Sequence, residues 1–186
     1  PSLPQLPPRN RRRDRPLVYI SLGRVMHRRP GFYRACFQAL GGQALDVVLS
    51  VGEATDPAAL GPAPGNFRVE RRVDQLAVLA EADAFLTHCG MNSANEAIFC
   101  QVPTILFPQQ GEEAAVADRM ESLGLGVRLR RETPAAIRQA VEAVLGEPRF
   151  RENAARVAES FRAAGGAGAA ADFLERVLGR KNSGRP

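Results

Sequence analysis

Tryptophan is absent from the 186 residues, aromatic side chains are limited to nine Phe and two Tyr, and there are only two histidines, three cysteines and three methionines. Each scarcity removes a class of function. Nucleic-acid grooves interleave cations with stacking aromatics. Here the basic surplus is local, because Arg9, Arg11, Arg12, Arg13 and Arg15 against Asp14 carry +4 of the formal +5. The rest of the chain is nearly neutral, and nucleic acid is not an expected partner. Cys36, Cys89 and Cys100 contain no pair at the two-residue spacing of a zinc half-site or a dithiol redox centre. They read as reduced thiols in a cytoplasmic protein, Cys36 and Cys100 as small core filler on apolar helical stretches, with Cys89 alone near candidate chemistry. No apolar run approaches the roughly 20 residues of a membrane span, and the first residues lack the apolar core of a signal peptide. The expectation is a soluble chain without a transmembrane segment.

What is present is an alternation. Residues 1–16 (PSLPQLPPRNRRRDRP) hold five prolines and five arginines and can neither form a regular element nor bury a face; they read as an interdomain linker or a disordered basic tail. Residues 17–22 (LVYISL) then form a short apolar run ending at Gly23, which suits a strand covered on both faces. Similar runs recur at 46–51, 67–69, 84–87, 104–107 and 126–129. Between them lie helical spacings: Phe32, Cys36, Leu40; Leu76, Val78, Leu79; Ala94, Ala97, Ile98; Val116, Met120, Leu123. Six strands alternating with helices predict an α/β fold, a doubly wound, Rossmann-like, mainly parallel six-stranded sheet whose ligands sit at the carboxyl ends of the strands. The last third reads as helices, starting with Thr133 as N-cap and Pro134 at the first helical position and stopping at Gly146. Two apolar stripes follow: Phe150, Ala154, Val157, Phe161, and then Phe173, Leu174, Val177, Leu178, separated by the flexible run AGGAGAA. One domain over residues 17–180 is expected, with a tail at 181–186.

The densest candidate for chemistry is Thr87, His88, Cys89, Gly90, Met91, Asn92 and Ser93, where a buried strand hands over to a helix. Such a turn suits an anion. Gly90 permits close approach, the first-turn N–H groups are free, Asn92 or Ser93 can cap the helix, and His88 adds a donor. Glu96, three residues after Ser93, is either the partner of a capping box or an acceptor for vicinal ribose hydroxyls beside a bound phosphate.

The blocks from residue 67 to 127 resemble the donor-binding signature of nucleotide-sugar-dependent glycosyltransferases of family 1, bacterial macrolide-type enzymes in particular. They are Val73 to Leu79, THCGMNSANEAI at 87–98, Val102 and Pro103, FPQ at 107–109 and ESLGLGV at 121–127, together with the strand and glycine turn at 17–23. The resemblance implies the C-terminal, donor-binding half of a GT-B fold. It implies a diphosphate site at His88, Gly90, Asn92, Ser93, Gly23 and Arg24, a ribose site at Glu96, a base site at Arg72, Val73 and Gln75, and a donor-sugar site at Glu112 and Glu113. Four positions depart from the family. Arg72 stands where an aromatic residue usually stacks on the base, Asp74 replaces a proline, Arg24 a serine or threonine, and Glu113 a glutamine.

The implied reaction is attack of an acceptor hydroxyl on the anomeric carbon, with inversion, while the nucleoside diphosphate leaves. His88 is then a clamp on the leaving group rather than a base. The base would be a histidine of an amino-terminal acceptor-binding domain, or of a separate acceptor subunit, so no catalytic residue is assigned within these residues; His27, the other histidine, reads as an exposed loop residue. No Asp-x-Asp sequence occurs, so no metal or cofactor is expected. The implied partners are a nucleotide sugar, a UDP-sugar by the resemblance, and a small-molecule acceptor. The alternative is a nucleotide-sugar-binding module or inactive homologue, which the four departures favour.

Overall fold

The computed structural model describes residues 14–23 and 28–182. Arg24, His27 and most of the Pro/Arg-rich opening lie outside the described residues. Six strands form one all-parallel sheet: β1 (Leu17–Ser21), β2 (Asp46–Ser50), β3 (Phe67–Glu70), β4 (Ala84–Thr87), β5 (Thr104–Leu106) and β6 (Gly126–Arg128), in the order β3-β2-β1-β4-β5-β6. The helices are α1 (Pro30–Leu40), α2 (Gln75–Glu81), α3 (Met91–Phe99), α4 (Gly111–Ser122), α5 (Pro134–Gly146), α6 (Pro148–Ala163) and α7 (Gly166–Asn182), with a 3₁₀ turn at Pro57–Leu60. The predicted doubly wound architecture is the one observed.

Continuous apolar strands arise because both faces of the sheet are covered, and successive side chains go to opposite faces. In β1 and the residue after it, Val18, Ile20 and Leu22 join the core beneath α1 and α5, whereas Leu17 and Tyr19 join the core beneath α2 and α3. Phe85 of β4 lies on the second side and stacks on Tyr19 at 4.7 Å between ring centroids. A third cluster gathers Ala94 and Ile98 of α3, Ala117 and Met120 of α4 and Ala154 of α6. Thr133 caps α5 by accepting from the Ala136 N–H, with Pro134 in the first turn, as its sequence predicts.

The strand order reverses between β1 and β4, so the loops leaving these two neighbours diverge and open a crevice at their carboxyl ends. That crevice is where Gly23 and His88 lie.

Three local expectations are corrected. Leu76 is 44% exposed, so α2 buries only Val78, Leu79 and Ala80. Most of AGGAGAA belongs to α7, which starts at Gly166 after a break at Gly165, φ +72°; the alanines of the run carry the helix despite its glycines. The stripe Phe173, Leu174, Val177, Leu178 is exposed, as is Phe161, because the sheet faces are already covered by the preceding helices.

Candidate functional site

The site is built from the ends of β1 and β4 and the first turn of α3. At the end of β4, Thr87 is fully buried and its hydroxyl accepts from the Cys89 N–H at 3.1 Å. Cys89 takes φ +67°, a left-handed conformation that costs a non-glycine residue about 1 kcal/mol or more. This kink turns the chain at His88 and starts α3 at Met91. The Cys89 thiol is buried, which pushes its pKa up to about 12, so the cysteine shapes the turn and is not a nucleophile at neutral pH.

His88 fits into a slot made by two glycines. A Cβ on Gly90 would fall 2.4 Å from its Nε2, and one on Gly23, where φ is +74°, would fall 2.5 Å from Cε1. Any side chain at either position would displace the ring, which is the physical content of the two glycines flanking it in space. Nδ1 of His88 is buried without a hydrogen-bond partner among the described residues. Burial lowers the pKa below its ordinary 6.5, opposed by the Glu113 carboxylate and by the Ser21 carbonyl, which lies near the ring without making a bond of full hydrogen-bond geometry. The imidazole is therefore neutral at pH 7, with Nε2 beside Gly90 at the start of α3 and Nδ1 on the buried side.

No side chain caps α3. The N-cap is Gly90 in extended conformation, and neither Asn92 nor Ser93 serves, which corrects the expectation that one of them would. Asn92 is exposed. Ser93 is buried, and its hydroxyl instead accepts from Gln75 Nε2 at 3.1 Å. The same Nε2 donates to Glu96 Oε2 at 2.6 Å, and Gln75 Oε1 accepts from the Tyr19 hydroxyl at 3.1 Å. Glu96 is thus held by a side chain from α2 rather than by a capping box with Ser93. The positive end of the α3 dipole and its first-turn amides face the crevice without a competing side-chain oxygen.

Of the residues expected to meet the base, Gln75 joins this network, Val73 packs partly buried against the core under α2, and Arg72 is exposed in a loose pair with Glu53 at 3.7 Å. Asp74, at the position of the usual proline, accepts from the Ala77 N–H at 3.1 Å and caps α2. Of the residues expected to meet the donor sugar, Glu112 is exposed in the first turn of α4, whereas Glu113 is 5% exposed, with Oε2 accepting from the N–H groups of Gln109 at 2.6 Å and Gln110 at 3.0 Å. Glu113 therefore fixes the α4 start with one oxygen, while its charge still acts on His88. Gln109 is further tied by Arg29, which donates to its Oε1, pairs with Glu132 at 2.7 Å and lies over the Phe107 ring.

Sequence reasoning did not single out Tyr19, Arg29 or Gln109 as parts of the site. The signal for Tyr19 was available, since a phenol inside a fully buried strand must find a partner. Two grooves lie elsewhere: one of 790 Å³ beside β2, β3 and α2 reaches the site only through Arg72, Val73 and Asp74, and an apolar one of 630 Å³ runs between α3, α4 and α6. The convergence of polar groups marks the crevice. Among the described residues no group of three His, Cys, Asp or Glu gathers as a metal site.

Comparison with known proteins agrees with this fold. The profile of the erythromycin biosynthesis protein CIII-like C-terminal domain matches residues 35–171. The NDP-glycosyltransferase YjiC of Bacillus subtilis (strain 168) is 39% identical over 167 residues, 89% of this chain and 43% of that protein. The oleandomycin glycosyltransferase of Streptomyces antibioticus is 33% identical over 165 residues, 87% of this chain and 38% of that protein. The crystal structure of CalG4, the calicheamicin glycosyltransferase, shares 38% identity with a TM-score of 0.85, over 97% of this chain and 46% of that one. The chain spans less than half the length of these relatives, and its fold is one half of their GT-B architecture. This chain belongs to the family of erythromycin biosynthesis protein CIII-like C-terminal domains, within the macrolide-type glycosyltransferases.

Proposed function

We propose that this chain is the donor-binding domain of an inverting hexosyltransferase, holding a nucleoside-diphosphate sugar, a UDP-sugar, while an acceptor hydroxyl displaces the diphosphate. The observation that carries the proposal is the glycine-lined slot that sets His88 Nε2 beside an uncapped helix N-terminus at the sheet's reversal point. Negative charge that builds on the leaving diphosphate would meet the imidazole and the α3 amides, fixed donors that need no rearrangement. Asn92 and the backbone at Ser93 line the same turn, and no metal is required by this arrangement.

Glu96 would accept from the ribose hydroxyls, Val73 and Gln75 would meet the base beneath the Arg72 guanidinium, and Glu112 with Glu113 would read the sugar. The acceptor pocket and the base belong, in this reading, to an amino-terminal domain or separate subunit, and the enzyme works in the cytoplasm. Two observations support such a partner: the matched relatives are more than twice as long, and α7 turns Phe173, Leu174, Val177 and Leu178 to the outside, a contiguous apolar face of the kind that marks an interface. No helix among the described residues is long and apolar enough to cross a membrane.

UDP should raise the melting temperature of the chain, with His88→Ala and Glu96→Ala each reducing the shift. Equal shifts in all three proteins would remove the site. A nucleotide-sugar-binding module without transferase activity is the second reading, favoured by Arg72 and Glu113. Joining the chain to an acceptor-binding half from a relative separates the two, since only the transferase reading predicts sugar transfer by the chimera.

A further inference from the structure

The buried face of β1 contributes more than packing to the site. Tyr19 is 1% exposed, stacked on Phe85, and its hydroxyl lies 3.1 Å from Gln75 Oε1. On its other end Gln75 Nε2 reaches Glu96 Oε2 at 2.6 Å and Ser93 Oγ at 3.1 Å. Inventory of donors and acceptors leaves a single consistent arrangement. A carboxylate only accepts, so the amide nitrogen must face Glu96; the amide oxygen then faces the phenol, which must donate. Burial pushes the Tyr19 pKa up to about 12, against the neighbouring hydroxyls of Ser21 and Ser50. The phenol therefore remains a donor throughout the neutral range. Both Nε2 protons are used, one on Glu96 and one on Ser93, while the phenol holds the opposite end of the amide.

We propose that Tyr19 is a positioning residue for nucleotide binding: its hydroxyl fixes the orientation of the Gln75 amide, which holds the Glu96 carboxylate where ribose hydroxyls reach its second oxygen. The inference rests on the donor-site reading above and adds a residue that touches no ligand. It links strand β1 to the ribose through α2, so that the carboxylate does not depend on its own flexible side chain for its pose. Without the phenol, Gln75 Oε1 loses its partner, and the amide can rotate away from Glu96.

The test is a double-mutant cycle on UDP affinity, measured by calorimetry on the whole chain. Tyr19→Phe keeps the ring stack and should weaken UDP binding about two- to tenfold, the net worth of one hydrogen bond. In a Glu96→Ala background the same substitution should change affinity by less than about twofold, because the receiving group is gone. Losses that multiply, or Tyr19→Phe binding UDP as the wild type does, would overturn the relay. Gln75→Met interrupts the same relay at its middle and should weaken UDP binding at least as much as Tyr19→Phe in the wild-type background, which keeps the test decisive should the buried Phe substitution fail to fold; a Gln75→Met protein with wild-type affinity would overturn the relay equally. No UDP binding by the wild-type chain would overturn the donor-site reading and the relay together, whereas wild-type binding with multiplying losses strikes the relay alone.

Discussion

Adding one methyl group at Gly90 separates the proposed role of His88 from its contribution to stability. The backbone there is at φ −60°, ψ 142°, which alanine adopts freely, so the substitution acts only through its Cβ, 2.4 Å from His88 Nε2. Something must yield. The imidazole is the end of a side chain, whereas the alternatives are backbone, so the ring leaves its slot. The folding cost is then small, about 1 kcal/mol or less, roughly 2–4 °C in Tm for a domain of this size, and partly offset because alanine restricts the unfolded chain. The binding cost is larger. A hydrogen bond to a charged phosphate is worth about 1.5–3 kcal/mol, so UDP affinity should fall about 10- to 150-fold. Calorimetry and thermal unfolding on the same protein read the two effects separately. In a His88→Ala background, Gly90→Ala should cost almost nothing further. A Gly90→Ala protein that binds UDP within about twofold of wild type would refute the reasoning that the glycine exists to seat the clamp.

Other expectations follow from the same geometry. Because burial lowers the His88 pKa below 6.5, its contribution to stability is complete above that pH and is lost as pH falls through the folded-state value, the unfolded chain taking up the proton first. Bound diphosphate favours the imidazolium, so UDP binding should take up a proton and tighten from about pH 7.5 towards 5.5, more steeply in wild type than in His88→Gln; parallel pH profiles would contradict it. Asp74→Ala removes the α2 cap and should cost about 0.5–2 kcal/mol in denaturant unfolding, with Asp74→Asn close to wild type. Cys36, Cys89 and Cys100 are all buried and should resist a thiol reagent until the chain unfolds, which a spectroscopic thiol count checks.

The sheet was legible because its strands are covered on both sides, which compresses each into a short apolar run, and because Thr133–Pro134 carries its cap in adjacent residues. The turn that forms the candidate site was legible as well, since a strand end followed by glycine and a helix is a local pattern. What holds the site in place is not local. Ser93 and Glu96 have the spacing of a capping box, yet both are taken by Gln75, 18 and 21 residues earlier in sequence. Glu113 looks like a ligand contact from its place in a motif, but two backbone amides of its own turn claim one of its oxygens. The α7 stripe is apolar along one face as its periodicity indicates, but periodicity does not say that the face is buried within the same domain, and here it is exposed.

With only His27 and His88 in the chain, the imidazole nitrogens can be followed individually, and nitrogen NMR of the side chains during a UDP titration tests the clamp directly. The resonances that disappear in His88→Gln should shift on saturation and report a raised pKa in the complex, while the other imidazole stays unchanged. Saturable UDP binding that leaves the His88 resonances where they were would contradict the assignment of this histidine to the diphosphate.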